Sequence, residues 1–172
     1  MPQQRNGFRT KELIVYPTHG VGQIVAIEEN EIETTKLELF VINFEKERMT
    51  VRVPTEKSNR VGMRKLSDAE VVKKALATLK GKSQPEPRFW NERVPEYKAK
   101  INSGSLVAVA EVVRDLYRSE FGPEKSYTRR ELFETALNRM ASEIAAVQEM
   151  SQERAANKIQ EILISKFART AA

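Results

Sequence analysis

The stretch MTVRVPTEKSNRVGMRKLSDAEVVKKALATL, Met49 to Leu79, changes its periodicity partway along. At its start Met49, Val51 and Val53 alternate with Thr50 and Arg52, the two-residue repeat of a strand with one buried face. Pro54 closes that run. A proline has no amide to donate, so it suits an edge strand better than a central one. Val61 to Leu66 offers one more short strand. Ser67-Asp68-Ala69-Glu70 then reads as a capping box, with the serine hydroxyl taking a first-turn amide and Glu70 reaching back to the cap. Behind it Val71, Val72, Ala75, Leu76 and Leu79 recur at helical spacing. The change of period divides the chain into an expected β-rich domain, 1–66, and an expected helical domain, 67–172.

Upstream, LIVY (Leu13 to Tyr16) is a short apolar run stopped by Pro17, and Thr18-His19-Gly20-Val21-Gly22 brings two glycines for a turn. Gln23 to Glu28, with Ile24, Val25 and Ile27, reads as the next strand. In LELFVINF (Leu37 to Phe44) one parity holds Leu37, Leu39 and Val41 and the other Phe40, Ile42 and Phe44, so this strand is buried on both faces at its end. Glu45-Lys46-Glu47-Arg48 is a charged loop. Several short strands in succession predict a small Tudor-like or SH3-like β-barrel.

Downstream, Gly81 is a helix stop and GKSQPEP (Gly81 to Pro87) an exposed connector. A second helix is expected from Trp90 or Asn91 to Asn102, ended by Ser103-Gly104. Pro95 lies inside it, where with Asn91 as the cap it forfeits only the first intrahelical bond. Ser105 caps a helix from Leu106 to Ser119 whose stripe is Leu106, Val109, Val112, Val113 and Leu116. Thr128-Arg129-Arg130-Glu131 is a second capping box, opening a helix with Leu132, Ala136, Leu137, Met140, Ile144 and Val147. Ser151 caps the last, with Ala155, Ile159, Ile162, Leu163 and Phe167. The expected fold class is therefore α+β in two domains, a small β-barrel followed by a compact helical domain of about five helices.

With 40% hydrophobic and 31% charged residues the chain reads as soluble and globular. No apolar run approaches the roughly 20 residues of a membrane span, and MPQQRNGFRTKE has no apolar signal core. Cysteine is absent, which removes disulfides and thiolate chemistry and fits a reducing cytoplasm. The net charge of +5 is confined to residues 71–100, where eight basic residues face three acidic ones; residues 1–70 and 101–172 are each balanced. Such a local excess suits contact with phosphates, and it suits a solvated helix face beside a basic linker equally well.

Catalysis finds little support. The single histidine, His19, sits in a turn without a second histidine, Gly20-x-Gly22 is too short for a dinucleotide loop, and no phosphate loop or paired carboxylates occur. No enzyme activity, cofactor or metal is expected. The Met49 to Pro54 strand, with Arg52 turned outward, could accept a partner strand and pair with a carboxylate; it could also be an ordinary edge guarded by charge. The sole tryptophan lies in PRFWNER, Pro87 to Arg93, amid Arg88, Arg93, Lys98 and Lys100. An apolar wedge flanked by cations suits a minor groove; a tryptophan anchoring a helical core is the other reading.

Three separated segments, in order, carry a resemblance: VYPTHGVGQI (Val15 to Ile24), MTVRVP (Met49 to Pro54), and KINSGSL through AEVVRDLYR (Lys100 to Arg118). With them the chain, from about Lys11 to Ala168, resembles the CarD/CdnL family of bacterial RNA-polymerase-binding transcription factors, the long alphaproteobacterial forms in particular. The resemblance implies a Tudor-like N-terminal module that pairs a strand with the polymerase β subunit, a module also found in transcription-repair coupling factor, whose helicase motifs this chain lacks. It implies Arg52 as a polymerase contact, with Met49, Val51 and Pro54 beside it. It implies a helical domain that meets promoter DNA at the upstream edge of the transcription bubble, in the minor groove and with weak sequence preference. There Trp90, placed by its spacing to Ser103-Gly104, would wedge in and hinder bubble collapse, with Arg88, Arg93, Lys98 and Lys100 near phosphates. A monomer in the cytoplasm, brought to the nucleoid by polymerase, is implied as well. The family commonly carries two basic residues after the tryptophan. Here Glu92 precedes Arg93, and Pro95 and Glu96 break the usual run, which points to weaker DNA contact or one shifted toward Arg88, Lys98 and Lys100.

Overall fold

A computed structural model describes residues 3–83, 90–117 and 127–171. The chain divides into two compact units, Met1–Leu66 and Ser67–Ala172.

The first unit is a five-stranded antiparallel sheet built from β3 (Leu13–Tyr16), β4 (Gly20–Ile32), β5 (Thr35–Phe44), β6 (Met49–Pro54) and β7 (Arg64–Lys65), in the order β6-β5-β4-β3-β7. A short hairpin, β1 (Gln4–Arg5) and β2 (Phe8–Arg9), precedes it. Asn6 and Gly7 turn that hairpin with φ of 49° and 84°, the pair of left-handed residues that a tight two-residue turn demands. The hairpin folds back on the sheet: Phe8 meets Phe40 edge to face at 5.9 Å, and the Asn6 amide donates to the carbonyl of Thr55. Ile14, Ile24, Phe40, Ile42, Phe44, Val53 and Met63 complete the core with Phe8. As the two parities of LELFVINF require, Leu39, Phe40, Val41 and Ile42 are all buried.

β4 is longer than Gln23 to Glu28, because it runs in register with β5 out to Ile32 opposite Thr35. The register slips between Ile24 and Ala26, a bulge at Val25 that increases the local twist. The two glycines do different work. Gly20, at φ +86°, ends the turn in which the His19 amide donates to the Tyr16 carbonyl at 3.0 Å. Gly22 is inside the strand, where the Phe44 ring and Ile42 occupy the space a Cβ would need.

The second unit holds five helices among its described residues: α1 (Ala69–Leu79), α2 (Trp90–Ile101), α3 (Leu106–Leu116), α4 (Tyr127–Gln148) and α5 (Gln152–Ala171). α3 is the centre, with α1, α2 and α4 packed against it and α5 lying on α4 and α1. Its expected stripe is buried, joined by Ala110, and Met140, Ile144, Ile159 and Leu163 fill the core from α4 and α5.

Helix ends differ from expectation in instructive ways. Asp68, not Ser67, caps α1 by accepting the Val71 amide at 2.9 Å. The Ser67 amide and hydroxyl instead donate to one carboxylate oxygen of Glu143, buried on α4, at 2.9 and 2.5 Å. Two adjacent side chains could each cap the helix, and the long-range acceptor decides between them. Ser105 and Ser151 cap α3 and α5 as expected, accepting from Ala108 and Arg154. α3 stops at Leu116 rather than Ser119. Thr128 lies within α4, so it is not the cap its pattern suggested. Pro95 is the sixth residue of α2 and removes the bond its amide would have made to Asn91. The Phe167 side chain and Gly122-Pro123 lie outside what is described.

Candidate docking edge and nucleic-acid interface

β6 is an edge strand, with β5 on one side in the register Phe44↔Met49 to Leu39↔Pro54. Val53 is buried, while Met49 and Val51 pack half-buried on the same core. Thr50 and Arg52 are exposed. The four residues read from MTVRVP therefore differ in what they offer. Arg52 presents a side chain, whereas Met49 and Val51 present mainly backbone because their side chains are turned to the core. Arg52 Nε lies 3.3 Å from Glu28 Oε2 on β4, the two side chains being 52% and 41% exposed. Such a pair is worth only about 0–1 kcal/mol, so the guanidinium is readily shared with another carboxylate. Beyond Pro54 the chain enters a 3-10 turn, Thr55–Lys57, pinned by Asn6 and by the buried Ser58, whose hydroxyl donates to the Thr55 carbonyl at 2.9 Å. The edge thus ends on a fixed support.

His19 has an apolar setting, with ring centroids 5.3 Å from Tyr16 and 5.2 Å from Phe44 and Nδ1 3.4 Å from a Glu47 carboxylate oxygen. It anchors the Glu45 to Arg48 loop that leads into β6. Among the described residues no cluster of side chains suits a metal, and no helix is long and apolar enough to cross a membrane.

On α2 the cations do not all face outward. Arg93 donates to the Tyr97 side chain, the largest of the influences that raise its pKa above the ordinary arginine value; desolvation opposes the rise, and Glu96 and Asp115 add to it. Arg93 Nε is 3.9 Å from Glu96 Oε2. Lys100 Nζ is 3.1 Å from Glu111 Oε2 on α3. Lys98 is exposed and makes no ion pair with any described residue. Trp90 opens α2, four, seven and eleven residues ahead of Val94, Tyr97 and Ile101, which form the packed side of that helix. Arg88 falls outside the described residues.

Residues 8–67 match the family described as the CarD-like/TRCF RID domain, and residues 74–160 match CarD, C-terminal domain. The chain belongs to the CarD family. It is 29% identical over 145 residues, 84% of this chain and 95% of the other, to a Bacillus subtilis (strain 168) protein described as "Putative transcription factor YdeB". The CarD family comprises transcription factors associated with RNA polymerase, not enzymes. Both modules expected from the change of period are present as a CarD pair, in the expected order.

Three features of this CarD chain escaped sequence reading. Asn6-Gly7 is a strong hairpin signal that lay unread in the first ten residues. The Glu28 partner of Arg52 has no local signal, since it comes from a strand two removed in the sheet. The ion pair that occupies Lys100 depends on Glu111 of α3, a neighbour that only packing supplies, whereas Glu96 stands three residues from Arg93 on the same helix.

Proposed function

We propose that this protein regulates transcription initiation by docking on the RNA polymerase β subunit and holding its helical unit against promoter DNA at the upstream edge of the bubble. The observation that carries the reading is the unpartnered outer edge of β6, with Arg52 exposed at its centre. A strand from the β subunit adds to that edge through main-chain bonds, Arg52 takes a carboxylate of the partner, and Met49, Val51 and Pro54 shape the edge. Docking raises the local concentration of the helical unit at the promoter, so weak and sequence-tolerant DNA contact suffices. Trp90 wedges into the minor groove of the melted junction. Lys98 and Arg88 meet phosphates, and Arg93 and Lys100 do so by exchanging Glu96 and Glu111 for phosphate, a modest cost for pairs that are only partly buried. Only stronger contact with the melted than with the closed complex shifts the equilibrium. The protein acts as a monomer in the cytoplasm, reaching the nucleoid through polymerase, without cofactor or metal. In a purified transcription system, Trp90→Ala is expected to shorten open-complex lifetime while leaving polymerase binding intact. An unchanged lifetime refutes the wedge.

The register of Trp90 with Val94, Tyr97 and Ile101 favours a second reading, in which the indole anchors α2 in the core and the helical unit meets only protein. Tryptophan emission separates the two. A red-shifted, readily quenched indole supports the wedge, and a blue-shifted, protected one supports the anchor.

A further inference from the structure

The basic excess of residues 71–100 is shared between α2 and α1, and packing treats the two helices differently. On α2, Arg93 and Lys100 are engaged with Glu96 and Glu111. On and just beyond α1, Lys73, Lys74, Lys80 and Lys82 are all exposed, and none of their ammonium groups has an ion-pair or hydrogen-bond partner among the described residues. The uncompensated positive charge therefore lies mostly on α1.

Its placement is ordered. Val72, Ala75 and Leu79 are the buried side of α1. Lys73 and Lys80, seven residues apart, project along one line of the opposite side, with Lys74 beside them and the exposed Ala77 between. A small residue between lysines lets a polyanion approach the helix closely. Past the C-terminus Lys166 of α5 reaches the Ser83 hydroxyl at 3.1 Å; the Arg114 guanidinium, beside Gly81, is already neutralised by Asp115 at 2.8 Å and adds no free charge. Two carboxylates stand near the N-terminal end of this side, Asp68, which caps the helix through the Val71 amide, and Glu70, one turn before Lys73 and Lys74, and neither closes an ion pair with those lysines. Lysines in a last turn ordinarily offset the helix carbonyls, which accounts for Lys80 but not for Lys73 and Lys74 in mid-helix.

We propose that the exposed side of α1 and the segment just past its end, with Lys73, Lys74, Lys80 and Lys82, form a second nucleic-acid surface that tracks the phosphate backbone of duplex DNA. The partner is set by charge complementarity: four ammonium groups with no ion-pair partner among the described residues, no aromatic side chain among them, and so contact with phosphates without base reading. This rests on the reading that the helical unit meets DNA, and adds a surface to it. The α1 lysines hold the duplex while α2 meets the melted junction.

The test is the salt dependence of binding of the full-length protein to a short labelled duplex, started at low ionic strength. Replacing all four lysines by glutamine keeps a good helix former at Lys73 and Lys74 and touches the chain only past the helix at Lys80 and Lys82, so circular dichroism should be unchanged. The slope of log K against log salt is expected to fall by about 0.9 per lost contact, hence by about 3 to 4. Replacing the same lysines by arginine should preserve it. A glutamine variant with the wild-type slope overturns the proposal while leaving the α2 contact standing. If the wild-type protein shows no salt-dependent binding, the DNA reading fails together with this one. If the glutamine variant loses polymerase and keeps its DNA slope, the surface is a protein contact and the proposal is wrong.

Discussion

Gly22→Ala is expected to destabilise the β unit although its backbone would admit a side chain. Gly22 lacks the left-handed φ seen at Gly20, so an alanine there would by itself contribute about 0.5–1 kcal/mol by restricting the unfolded chain. Against this, the new Cβ would stand 2.6 Å from Phe44 Cε1, 2.8 Å from Ile42 Cγ2 and 2.9 Å from Phe44 Cδ1. Carbon atoms settle about 3.5–4.0 Å apart, so the strand or the ring must move by close to an ångström. Neither has room, since Ile42 and Phe44 are fully buried on the strand central to the core. Overpacking of this kind costs about 1–3 kcal/mol. The net loss is then about 1–2 kcal/mol, a fall in melting temperature of about 4–15 °C for a unit of this size. Phe44 lies opposite Met49, the first residue of β6, so the displacement reaches the docking edge and polymerase affinity should fall as well. The sole tryptophan is in the other unit, so its emission is the wrong probe. Calorimetry, or hydrogen exchange of β4 and β5 amides, reads the right transition. Phe44→Leu in the same chain should relieve part of the penalty, making the double variant more stable than the two single losses predict. An alanine variant as stable as the wild type would refute the close approach and the argument built on it.

Arg52→Glu forfeits an exposed pair with Glu28 and sets two carboxylates together, which costs the fold no more than about 1–2 kcal/mol. The variant should stay folded and still lose co-purification with polymerase, so retention of polymerase by a folded variant removes the docking assignment. Asp68→Ala should cost about 1 kcal/mol as a lost cap. Ser67→Ala should act largely through Glu143, its effect shrinking in a Glu143→Leu background where no oxygen remains to accept the hydroxyl; fully additive losses in urea denaturation would contradict the bond between them. Leu116→Ala, at the buried centre of α3, should cost about 2–5 kcal/mol, and a loss under 1 kcal/mol would mean that α3 is not the centre of its unit.

The sequence by itself determined the two modules. Alternation along Met49 to Val53 and helical spacing along Val71 to Leu79 are local, backbone-period signals, and they placed β6 and α1. The stripe of α3 and the serine caps of α3 and α5 were legible for the same reason. What the tertiary structure alone decided are contacts between residues far apart in the chain. Glu143 takes Ser67 and leaves the cap to Asp68. Phe44 and Ile42 make Gly22 a close-approach glycine rather than a turn glycine. Glu28 holds Arg52 from another strand, and Glu111 occupies Lys100 while the α1 lysines have no ion-pair partner among the described residues. Periodicity records which way a side chain points relative to its own element; it does not record what stands opposite. The chain alone could therefore locate the basic segment, and only packing could divide its charges between those already neutralised and those still available to a partner.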